Sequence, residues 1–141
     1  MNQTPDIGAF QQQLLDAVIT QTPLPGHNQP VRLPDLGMLM AQEDIPIARD
    51  GLDGSILLPA APKPVRLADA SELSGAPATP GTTCFLTFDT LETGLDMVRI
   101  ALRLKLAANP GQPVLGLSSV IVTFRRTQNG WQADEPVYMA N

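Results

Sequence analysis

The stretch MVRIALRLKL (97–106) decides the fold. Val98, Ile100, Leu102, Leu104 and Leu106 alternate strictly with Met97, Arg99, Ala101, Arg103 and Lys105. Successive side chains of a strand point to opposite faces, so this segment has one dry face and one wet face. Wound as a helix, the same five apolar residues would encircle the axis instead of lining one side.

Just downstream, VIVTFRRTQNGWQADEPVYM (120–139) predicts a hairpin. Asn129 and Gly130 both tolerate positive φ and suit a two-residue type I′ loop. With that loop, Arg126 faces Ala133, Phe124 faces Glu135, Val122 faces Val137 and Val120 faces Met139, all on one mostly apolar side. The other side pairs Arg125 with Asp134, Thr123 with Pro136 and Ile121 with Tyr138. Thr123 and Pro136 then form a non-hydrogen-bonded pair, with the proline nitrogen turned outward, so the last strand is expected at an edge. Upstream, TCFLTFDT (83–90) is rich in β-formers, and LETGLD turns the chain into 97–106. Residues 82–139 are therefore expected to form an antiparallel meander of about four strands.

Farther out, residues 4–22 predict one amphipathic helix. Thr4 suits the cap, Pro5 the first turn, and Ile7, Phe10, Leu14, Leu15 and Val18 recur at helical spacing. Gln11, Gln12, Gln13 and Asp16 fall on its wet side, and Pro23 with Pro25 ends it. Between residues 23 and 81 lie ten of the fourteen prolines and no aromatic residue. Leu33, Leu36, Leu39, Ile45, Ile47 and Leu57 make this stretch too apolar for a solvated linker, so it predicts an irregular wrap with one short helix near residues 35–42. SGAPATP (74–80) is the expected mobile segment.

At 141 residues the chain fits one domain, 1–141, and 43% apolar against 16% charged residues excludes general disorder. No apolar run approaches the roughly 20 residues that span a membrane. The first twenty-two residues carry Asp6 and Asp16 and no Lys or Arg, which argues against a secretory or transit leader and for a cytoplasmic location. A net charge of −5 disfavours nucleic acid. One cysteine and one histidine supply no cluster for a transition metal, and no cofactor fingerprint is present.

Charge is segregated along the chain. Residues 1–96 are net −8, whereas 97–133 hold five bases and no acid. Arg99, Arg103 and Lys105, at outward positions of one strand, form the candidate binding strip for an acidic partner or an anionic ligand. The competing reading gives these bases to solvation, to edge protection or to the acidic half of the same chain. His27, in PLPGHNQP, reads as a surface histidine in a turn, and Cys84 as a buried inert thiol. DGLDG (50–54) has the wrong spacing for a calcium loop and reads as a turn.

The N-terminal helix, GLDMVRIALRLKL, a Pro and Gly turn, and then LSSVIVTFRRTQNGWQADEP together resemble the closing strands of the NTF2-like superfamily. There, a strand ending in Arg is followed by a Gly-Trp turn. A cystatin-type helix on a sheet is the second resemblance. An NTF2-like relationship implies a curved sheet around an apolar pocket, in isomerases, dehydratases or non-catalytic binding and dimerisation modules. None of the catalytic Asp, Tyr or His residues of such enzymes matches a position here.

The resulting expectation is an α+β domain. A long helix and a Pro-rich wrap pack on a twisted antiparallel sheet, with Trp131, Phe124, Val122, Val98, Ile100 and Leu102 in the core. Its expected role is non-catalytic binding or assembly through the sheet surface or a pocket between helix and sheet, with a protein partner or as a homodimer. The alternative is a small NTF2-like enzyme or carrier with a hydrophobic ligand between helix and sheet.

Overall fold

The structure is a computed structural model describing residues 6–34, 36–49, 51–52, 56, 64–68, 83–107 and 115–140. The α+β architecture is present, with one long helix on a sheet larger than expected. The helices are α1 (Ile7–Thr20) and α2 (Leu36–Met40). The strands are β1 (Ile45–Ala48), β2 (Val65–Ala68), β3 (Thr83–Thr93), β4 (Met97–Ala107), β5 (Leu115–Thr127), β6 (Gly130–Ala133) and β7 (Val137–Ala140). They form one seven-stranded sheet in the order β2-β1-β3-β4-β5-β6, with β7 also on β5.

The expected alternation on β4 holds. Val98, Ile100, Leu102 and Leu104 are fully buried, and they pair across the sheet with Phe124, Val122, Val120 and Ser118 of β5. On its other side β4 pairs with β3, Leu102 opposite Phe88 and Leu104 opposite Leu86. One-residue irregularities between Thr90 and Glu92, and between Leu104 and Lys105 with their β5 partners, bend the long strands.

Helix α1 covers this dry face. Its cap is Asp6, whose carboxylate accepts from Ala9 N at 3.1 Å, and so lies two residues beyond the expected Thr4. The helix ends at Gln21, which takes a left-handed conformation (φ 55°), before Pro23 is reached. Phe10, Leu14, Leu15 and Val18 are buried as expected. Phe10 stacks on Phe124, ring centroids 4.4 Å apart, and Trp131 tilts against it at 5.2 Å. Gln11 departs from the expected wet side: it is fully buried and its Nε2 donates to Gly51 O at 2.7 Å.

The region expected to be an irregular wrap contains two short strands besides α2. β1 and β2 run parallel, Ile45 opposite Val65 and Ile47 opposite Leu67, and β1 also runs parallel to β3, so the sheet is mixed rather than antiparallel. Strands of four residues, one of them with a proline inside, leave too short an alternation to read. Ile45 N donates to Pro64 O and Arg49 N to Ala68 O, so the odd-numbered backbone groups of β1 serve β2 and the even-numbered ones face β3. Pro46 therefore withholds a donor only on the β3 side, where β1 keeps the single pair Ile47 with Leu86. The Gln42 side chain extends that seam: its Oε1 accepts from Cys84 N at 2.6 Å and its Nε2 donates to Cys84 O at 2.9 Å. Cys84 is buried, as expected. Residues 74–80 lie outside the described residues.

The terminal hairpin forms with a different register. Thr127 pairs with Gly130, Arg126 with Trp131, Arg125 with Gln132 and Phe124 with Ala133, so the loop is Gln128 and Asn129 rather than Asn129 and Gly130. Gly130 alone supplies the positive φ (+109°), and Thr127 Oγ1 closes the turn by accepting from Asn129 N and donating to Gly130 O. A shift of two keeps every residue of β6 on its expected face. Beyond Ala133 that no longer holds. The expected single last strand breaks at residues 134–136, and β7 resumes with one extra residue, Ile121 opposite Val137 and Ser119 opposite Met139. One inserted residue reverses the faces: Val137 and Met139 turn to the outer side, and Tyr138 turns to the helix side.

Candidate functional site

Two surfaces bear on function. The first is the outer sheet face, where the expected strip stands. Arg99, Arg103 and Lys105 all point outward from β4 and are half-buried. Arg103 Nε donates to Asp89 Oδ2 of β3 at 2.6 Å, and its Nη1 donates to Ser119 Oγ at 3.3 Å. The acidic half of the chain thus neutralises one base of the three. Arg99 Nε donates to Thr123 Oγ1 at 3.2 Å, with Glu92 opposite it on β3. Lys105, between Phe85 and Gly116, makes no ion pair among the described residues. The expected Arg125–Asp134 pair forms at 2.6 Å even though Arg125 stands opposite Gln132, because a long side chain reaches the diagonal neighbour.

Three rows therefore run side by side: acidic Asp89 and Glu92 on β3, basic Arg99, Arg103 and Lys105 on β4, and apolar Ile121, Val137 and Met139 on β5 and β7. Val137 is 57% exposed and Met139 49% exposed. The strip of bases was legible in the sequence. The apolar row was not, since it depends on the register shift before β7.

The second surface surrounds His27. Residues 22–31 form a loop closed at its base by Val31 N donating to Thr22 O, and by a bridge between Pro23 and Pro30. Leu24 and Val31 anchor it in the core, and Gly26 (φ +83°) turns its tip. His27 is half-buried rather than a free surface residue: its Nε2 lies 2.6 Å from Ala133 O of β6. A carbonyl only accepts, so Nε2 carries the proton in this bond. Clefts of about 360 and 630 Å³ flank the imidazole. The 27–133 contact crosses the whole chain, and no local sequence signal could have revealed it.

Among the described residues no group of three or more His, Cys, Asp or Glu gathers as a metal site. No helix there is long and apolar enough to cross a membrane. Searches against protein-family models, curated proteins and solved structures found no match.

Proposed function

We propose that this chain is a non-catalytic binding or assembly module that engages a protein partner, a second copy of itself in the simplest case, through its outer sheet face. The observation that carries this reading is the placement of the row of bases between an acidic row and an exposed apolar row. Exposed Val137 and Met139 supply area whose removal from water favours association, and the charged rows supply orientation. A second copy related by a two-fold axis that lies between the two outer faces and runs parallel to the strands presents both signs, with its acidic row over the basic row.

Sedimentation equilibrium tests the homodimer over a concentration series. A concentration-dependent dimer is expected, weakened about tenfold or more in the Arg99→Glu, Arg103→Glu double variant and in Met139→Asp. Met139→Asp, at an exposed position, leaves the melting temperature nearly unchanged. The double variant loses the Arg103–Asp89 pair and sets Glu beside Asp89 and Glu92, so its melting temperature falls modestly and circular dichroism checks that it stays folded. A monomer at every concentration, or a dimer indifferent to all three substitutions, rejects this use of the face.

A further inference from the structure

The cleft of about 360 Å³ beside His27 has a lining of unusual chemistry for this acidic chain. Its polar side chains are the primary amides of Gln13, Asn129 and Gln132 with the His27 imidazole, and its aromatic wall is Trp131, the only tryptophan. Among the described residues no Asp, Glu, Lys or Arg lines it. Elsewhere, the amides of Gln11, Gln12 and Gln42 are committed to Gly51 O, Asp16 Oδ1 and the Cys84 backbone. By contrast, the side-chain amides of Gln13, Asn129 and Gln132 and the indole N–H make no hydrogen bond to any described residue. Three elements thus deliver uncommitted donors and acceptors to one concavity: α1, the 22–31 loop and the β5–β6 hairpin.

We infer that this cleft binds a neutral, polyhydroxylated ligand, a saccharide residue. A charged ligand would lose hydration there without meeting an opposite charge. A primary amide offers both a donor and an acceptor in one plane, and a hydroxyl needs both. The half-buried indole gives a flat apolar wall for the C–H face of a sugar ring. The hydrogen bond to Ala133 O occupies Nε2 of His27, leaving Nδ1 as the second nitrogen of a ring already fixed in place. Both clefts fall within the range of about 300–1,000 Å³ of small-molecule sites. The larger cleft shares Gly26 and His27 with the first and adds Asn28, Gln29, Glu135 and Tyr138, which gives room for a second sugar unit. The ligand class is therefore a short neutral oligosaccharide lying across His27.

Trp131 makes the test direct, because the only tryptophan of the chain lines this cleft. The full chain is titrated separately with maltotriose, cellotriose and chitotriose, and with a sulfated heparin tetrasaccharide, at concentrations spanning about 1 mM. A saturable change with at least one neutral probe is expected, with affinity reduced about tenfold in Gln132→Ala and in Asn129→Ala, roughly one hydrogen bond's worth. Both side chains are exposed, so thermal melting of the variants checks that the fold is intact. The Arg99→Glu, Arg103→Glu variant should bind the sugar as the parent does, which keeps this outcome separate from that of the sheet face. No saturation with any neutral probe, unchanged affinity in both amide variants, or preference for the sulfated probe would overturn the inference.

Discussion

Three residues show how single positions serve or strain the fold against local rules. Gly51 (φ +79°) lies against β3, and a Cβ placed on it would come 2.3 Å from Phe88 O. Gly51→Ala therefore meets both a disfavoured backbone conformation and a backbone clash, and should lower the unfolding free energy by about 2–4 kcal/mol in chemical denaturation. Gln42 acts as a length of strand, satisfying both backbone groups of Cys84. Gln42→Ala removes both of these hydrogen bonds and should cost about 1–3 kcal/mol, with amide exchange of Cys84 accelerated selectively. Thr87 has the opposite problem, since its Oγ1 is buried and finds no partner among the described residues. Thr87→Val keeps the shape and removes the stranded hydroxyl, so the melting temperature should rise; a fall would mean that the hydroxyl has a role. DGLDG marked a turn at Gly51 in the sequence. The roles of Gln42 and Thr87 were not marked, because each depends on a strand some forty residues away or on a neighbour across the sheet.

Among the elements, β4 was legible because ten residues of strict alternation leave one pairing face that buries Val98, Ile100, Leu102 and Leu104. β1 and β2 were not, because four residues and a proline carry too little periodicity, and their pairing is parallel and non-local. The hairpin lies between these cases. Its turn residues announced a reversal, but the register moved by two, a slip that exchanges no faces and so changes burial very little. The Arg125–Asp134 contact survived that slip as a diagonal pair, which shows how weakly a surface ion pair selects register. A double-mutant cycle on the two residues should return a coupling of about 0.2–1 kcal/mol that shrinks with added salt. A salt-independent coupling would be inconsistent with a solvent-exposed pair.

Across the whole molecule, α1 is held to the sheet by an aromatic trio, Phe10 on Phe124 and against Trp131. Phe10→Ala removes the shared ring and should cost about 3–5 kcal/mol, with Trp131 emission shifting red as the indole becomes wetter. An unshifted spectrum with unchanged stability would show that the helix docks by other contacts. By itself the sequence determined the helix, the dry and wet faces of the long strands, the buried thiol and the row of bases, since each is a periodicity of covalent neighbours under one backbone geometry. Only the tertiary structure decided the two added parallel strands, the reversal that turns Val137 and Met139 outward, the neutralisation of Arg103 by Asp89, and the meeting of His27 with Ala133. Those features depend on which distant segments satisfy one another's backbone groups, a choice made by the sheet as a whole and not by any window of residues.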